Sequence, residues 1–240
     1  MPHVRRADHC FMLKFEEAEA ACRAYEDLGL RVFFAPMLND DAVLYENYVP
    51  VALDAEERNA QGQGGGLGPE GRWRTTSGPS NEAKCQANLA LWEECAEKLH
   101  DPANGVNIVV GPVSLFSCSE QLLRGATDIR RKYKLNGHIH VLESRAQRLE
   151  AARRFKAHDG SAVRFLDSTG FLHVPSTTTS LAHCCWLEEA EMQLIAQRGA
   201  AIVHNPATRE TGKATFAGTS SRRSLWPLGL MVLCPQMVRT

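Results

Sequence analysis

Apolar and polar positions along the chain change period in a repeating order. FEEAEAACRAYEDLG (15–29) sets Ala18, Ala21, Cys22 and Tyr25 at helical spacing and stops at Gly29, a C-terminal signal. LRVFFAP (30–36) follows as a short apolar run ended by proline, which predicts a buried strand. The alternation continues with a helix over 81–100, a strand over 107–115 and a helix over 119–137 with Ser119 as N-cap. Then come a strand over 138–144, a helix over 145–160, a strand within 177–187, a helix over 188–199 and a strand over 200–206. Strands that are apolar throughout are buried on both faces, as in parallel sheets covered by helices. Strand, helix and strand in strict succession predict a parallel α/β architecture, either a barrel or a doubly wound sheet.

Residues 60–81, AQGQGGGLGPEGRWRTTSGPSN, break this rhythm and read as a loop or lid. A phosphate loop would need a preceding strand and a Lys-Ser/Thr, and neither is present. No GxGxxG follows any strand, so a dinucleotide site has no support. Composition is ordinary for a globular protein, with 44% hydrophobic and 23% charged residues. A formal charge of −1 lacks the basic footprint of a nucleic-acid binder. The longest apolar runs, such as 108–116 and 228–234, are too short to span a bilayer, and the N-terminus does not read as a signal peptide, so the expected location is cytoplasmic. The eight cysteines have no framework spacing, and reduced thiols are expected.

Candidate chemistry collects where strands end. His138-Ile-His140-Val-Leu-Glu143 puts two imidazoles on one face of a strand, because residues two apart point the same way, and a carboxylate where the strand gives way to a loop. A neutral imidazole is a good ligand for zinc or iron, and a nearby carboxylate can shuttle protons. His183 closes a second apolar run, and His204-Asn205-Pro206 a third. Each admits a plainer account: hydrogen-bonded core histidines, a helix-capping Glu143, and Asn-Pro as a turn initiator. Their shared position at the C-terminal ends of successive strands is where an α/β barrel builds its active site.

HIHVLES, LAHCCWL and IVHNPAT, in this order and spacing, resemble the amidohydrolase superfamily. The likeness is greatest to its branch of cytosine, S-adenosylhomocysteine and guanine deaminases and triazine chlorohydrolases. GPVSLFSCSEQLL (111–123) is similar to the family's fourth strand and RVFFAPML (31–38) to its third, so the resemblance covers roughly residues 8–208. It implies a (β/α)8 barrel with one divalent metal, zinc or iron, acting on a small heterocyclic substrate by hydrolytic deamination or a related dechlorination. On this resemblance His140 is a metal ligand, Glu143 the acid/base, and His183 the partner of the attacking water or the substrate. His204 and Asn205 line the mouth, and His138 falls where the family has no ligand.

Two family elements have no counterpart. The His-x-His pair of the first strand is absent, because His3 and His9 do not form one and ADHCF (7–11) looks like the end of strand two. The aspartate of the last strand is also absent, because no aspartate follows Asp167. Displacing the reading frame by one nucleotide over 225–240 permits a Gly-Thr-Asp-Gly segment. The expectation is therefore a partial catalytic barrel over 1–208 and an atypical tail over 209–240, shifted in frame, in a chain incomplete and inactive by itself. It would hold metal weakly and could form a homo-oligomer. The alternative from another class is a non-catalytic pseudoenzyme or partner subunit.

Overall fold

Alternating burial decides how the chain folds in the computed structural model, which describes residues 5–12, 14–40 and 82–203. Six parallel strands pair strictly in chain order: β1 (Arg5–Phe11), β2 (Arg31–Leu38), β3 (Val106–Pro112), β4 (Asn136–Val141), β5 (Thr179–His183) and β6 (Ala201–Val203). Helices fill the crossovers: α1 (Phe15–Asp27), α2 (Glu82–Leu99), α3 (Glu120–Tyr133), α4 (Arg145–Arg154), α5 (Ala162–Ser168) and α6 (Glu189–Gln197). The loop read over 60–81, the pair His204 and Asn205, and the tail over 209–240 lie outside the described residues. No described helix is long and apolar enough to cross a membrane.

The two faces of the sheet differ. Phe34, Ile108, Val110, Ile139, Val141 and Leu181 join the main core, packed with Ala18, Cys22, Trp92, Leu122 and Ala126 from the helices. Trp92 is fully buried there, and its indole N–H donates to the Pro36 carbonyl at 2.9 Å. Among the described residues the other face holds a small apolar cluster, Phe33, Ala35 and Val109 with Ala7, to which no described helix residue contributes. Side chains alternate between faces along a strand, so this second face also receives His9, Gly111, His138 and His140. In a flat sheet β1 and β4, three spacings apart, would be separated by roughly 14 Å. The ring centroids of His9 and His138 are 4.7 Å apart. The sheet therefore curls around this face, as part of a (β/α)8 barrel does.

Two element boundaries differ from the sequence pattern. The helix expected to reach Gly137 ends at Tyr133, with Lys134 as a left-handed cap (φ 56°), and Gly137 lies inside β4, paired with Val110. Gly137 is required there because Arg130 lies against it: a Cβ at 137 would stand 2.6 Å from the guanidinium carbon. Arg130 is fully buried and donates to the carbonyls of Leu135, Phe171 and Thr178 and to the hydroxyls of Thr177 and Thr179. The helix expected over 145–160 breaks after Arg154, passes through a short 3-10 turn and restarts as α5, capped by the Ser161 hydroxyl on the Arg164 N–H. Asp159 and Gly160, both left-handed, make that corner. The seven described cysteines are free thiols, and burial pushes Cys22, Cys95 and Cys118 up to about 12.

Candidate metal and acid–base site

β4 and β5 deliver the residues singled out in the sequence. His140 is the fifth residue of β4, paired with Ala182, and Val141 pairs with His183, the last residue of β5. The backbone at this corner is unusual: Leu142, His183 and Cys184 all have positive φ (46°, 69° and 55°). Non-glycine residues rarely adopt that conformation, and such outliers collect at functional sites. The bend brings the His183 ring 5.3 Å from the His140 ring and its Nε2 3.6 Å from Glu143 Oε1. Glu143 does not cap the next helix. Ser144 does, its hydroxyl accepting from the Gln147 N–H at 3.2 Å. His140, Glu143 and His183 thus stand together at the C-terminal ends of adjacent strands, on the inner face.

His9 and His138 join them. The His9 ring stacks on His140 at 4.7 Å and meets His138 edge-on at the same distance. One ligand-type nitrogen from each of His9, His138 and His140 lies within 4.8 Å of the other two, a cluster that could hold a metal ion. Gly111 makes room for this: a side chain there would press on His9 Nε2 at 2.9 Å and on the Ala35 Cβ at 3.0 Å. His9 stands out poorly in the sequence, because ADHCF has no clear period and its histidine stands alone. The available signal was parity: Ala7, His9 and Phe11 share a face, as His138 and His140 do.

Burial sets the charge state of the cluster. His9 lies well below the usual histidine value, first through burial and then through repulsion from His138 and His140. His138 is lowered to about 3 by burial, with His140 and His183 adding to it. His140 is lowered by burial, opposed by its hydrogen bond to the Val113 carbonyl. At neutral pH all three are uncharged imidazoles, the form in which histidine binds a metal.

The residues fit a divalent metal on the chemistry of the donor set. Each ring has one nitrogen engaged by the protein: His9 Nε2 with the Gly111 carbonyl (3.1 Å), His138 Nδ1 with the Ser180 hydroxyl (2.7 Å) and His140 Nδ1 with the Val113 carbonyl (2.7 Å). That is the outer-shell pattern that orients metal-binding histidines. His9 Nδ1 is buried with no hydrogen-bond partner among the described residues.

Comparison with known proteins agrees with this architecture. Residues 11–223 match the model of the amidohydrolase family. Over 129 residues the chain is 33% identical to 5-methylthioadenosine/S-adenosylhomocysteine deaminase 2 of Archaeoglobus fulgidus, covering 53% of this chain and 30% of that protein. It is 34% identical over 126 residues to 5'-deoxyadenosine deaminase of Methanothermobacter thermautotrophicus, covering 52% and 28%. The fold superposes on guanine deaminase from C. acetobutylicum with guanine bound (TM-score 0.61, 17% identity), covering 85% of this chain and 39% of that one. Atrazine chlorohydrolase from Arthrobacter aurescens TC1, solved with zinc, gives a TM-score of 0.58 at 20% identity over 85% and 39%. The matches thus span under a third of the curated relatives and about two fifths of the solved structures. With most of its length under the family model, the chain belongs to the amidohydrolase family.

Proposed function

We propose that this chain, once loaded with a divalent metal, acts as a hydrolytic deaminase of a small heterocyclic amine, with its acid–base residues at the ends of β4 and β5. Water replaces the exocyclic amino group on a ring carbon, giving the oxo heterocycle and ammonia. A divalent metal bound beside His140 would supply a Lewis acid that lowers the pKa of water toward neutrality. Glu143 takes the proton from the attacking water and delivers it to the ring nitrogen. His183 orients the water or the substrate, and the family resemblance assigns His204 and Asn205 to substrate contact. The observation that carries the reading is the pair Glu143 and His183, 3.6 Å apart, with the His183 ring 5.3 Å from that of His140. The family match supports hydrolysis of a C–N bond, and the names of the two archaeal relatives favour an aminopurine nucleoside over a chlorotriazine.

The test is ammonia release by the zinc-supplemented chain from 5'-deoxyadenosine, 5-methylthioadenosine, guanine and a chlorotriazine control. Replacing Glu143→Gln should lower turnover by the ~10²–10⁴-fold typical of a lost general acid/base. No ammonia from any substrate with metal bound would overturn the proposal. One observation favours a second reading, a non-catalytic chain acting beside another polypeptide: among the described residues β1 and β6 are both edge strands. Absence of ammonia under those conditions would support it.

A further inference from the structure

We propose that His9, His138 and His140 together form a three-imidazole site for one divalent transition metal of the zinc class. The resemblance to the family supplies only His140 of this set. His9 and His138 come from the curvature of the sheet.

The hydrogen bonds fix the tautomers. Carbonyl oxygens only accept, so His9 donates through Nε2–H to Gly111 and His140 through Nδ1–H to Val113. The Ser180 hydroxyl gives its own proton to the Gly137 carbonyl at 3.3 Å, so it accepts from His138 Nδ1–H. A neutral imidazole that donates from one nitrogen carries a lone pair on the other. Three lone pairs are left: His9 Nδ1, His138 Nε2 and His140 Nε2. They belong to the rings whose ligand atoms cluster within 4.8 Å. Histidine nitrogens at the usual ~2.0–2.1 Å from a tetrahedral metal stand about 3.4 Å apart, so the rings must draw together when a metal binds.

A second argument is independent of spacing. His9 Nδ1 is a buried acceptor with no donor among the described residues. Burying a polar group without a partner costs about 1–3 kcal/mol, and a cation is a partner that a lone pair can take. Three neutral nitrogen ligands and no carboxylate suit zinc, cobalt or copper over magnesium or calcium, which prefer oxygen. Three protein ligands with a fourth position open is the arrangement of catalytic zinc sites.

The site would hold the metal that the deamination reading places beside His140, but it does not depend on that reaction, and its test does not measure turnover. The chain, free of any histidine tag and stripped with a chelator, is titrated with cobalt(II) and, separately, zinc(II). One cobalt per chain with a tetrahedral-type visible spectrum is expected. His9→Asn and His138→Asn should each weaken binding by more than the roughly 10–100-fold that loss of an outer-shell partner costs. His173→Asn, on the surface away from the cluster, should leave it unchanged. X-ray absorption of the zinc-loaded unmodified chain requires no variant and should count three imidazoles on zinc. One imidazole or none, or His9 and His138 variants that bind as tightly as the parent chain, would overturn the site. Three imidazoles with no ammonia released would uphold the site and overturn only the proposed reaction.

Discussion

The Ser180 hydroxyl, held by the Gly137 carbonyl, accepts the Nδ1 proton of His138, and burial resists charging the ring. This has a consequence for stability in the metal-free chain. Above about pH 6.5 the ring is neutral in both folded and unfolded states and contributes no pH dependence. As pH falls below that value the unfolded chain takes up a proton that the folded chain, with His138 lowered to about 3, refuses. Stability therefore falls with decreasing pH, by at most about 1.4 kcal/mol per pH unit for each such histidine. His9 and His140 are shifted in the same direction and add to the loss. Urea midpoints of the chelated protein should drop between about pH 7.5 and about pH 5.5, and His138→Gln should flatten part of the slope. A level profile would contradict the buried, neutral assignment. His140, Glu143 and His183 were legible in the sequence because polar residues at the ends of apolar runs stand out, whereas His138 was legible as sharing a face with His140 and not as a ligand. His9 was not, because its nearness to His138 is produced by sheet curvature, which leaves no local pattern.

At the scale of elements, the order of strands and helices was legible because the period of burial changes from about 3.6 to 2 and back at each crossover. The ends were less so. Glycine is the usual stop signal, and by that signal alone α3 would run on to Gly137. The chain instead stops at Lys134 and uses Gly137 to admit the Arg130 guanidinium, a contact between α3 and β4 that residue order does not record. The two placements predict opposite signs. If Lys134 is the left-handed cap, Lys134→Gly relieves a conformation that costs a side-chain-bearing residue about 1–2 kcal/mol and raises the unfolding midpoint. In a helix interior the same change would cost about 1 kcal/mol. Gly137→Ala should be destabilising by about 1–3 kcal/mol through overpacking, because Arg130 is fixed by its five acceptors and cannot swing aside. Denaturant midpoints of the two variants check both. A destabilised Lys134→Gly would mean that α3 continues past Tyr133.

For the whole molecule, the parallel sheet pairs only neighbours in sequence, so β1 is tied to the rest through β2 alone among the described strands. An edge strand with one paired side opens more readily than the centre of a sheet. The histidine cluster changes this topology, because His9 lies on β1 while His138 and His140 lie on β4, with β2 and β3 between. A metal held by all three would join the edge strand directly to the middle of the sheet and close the chain between residues 9 and 138. Any ligand that binds only the folded form stabilises it, by about 2.7 kcal/mol at a hundredfold excess over its dissociation constant, but a cross-strand metal should distribute that gain unevenly. Amide hydrogen exchange in chelator and in excess zinc measures the distribution. Without metal, protection should be highest in β3 and β4 and low in β1 and β6. With zinc, the amides of β1 around His9 should slow most and those of β6, which supplies no ligand, should barely change. Slowing confined to β4 and β5 would mean that the metal sits on His140 without His9, and that the edge strand stays untethered.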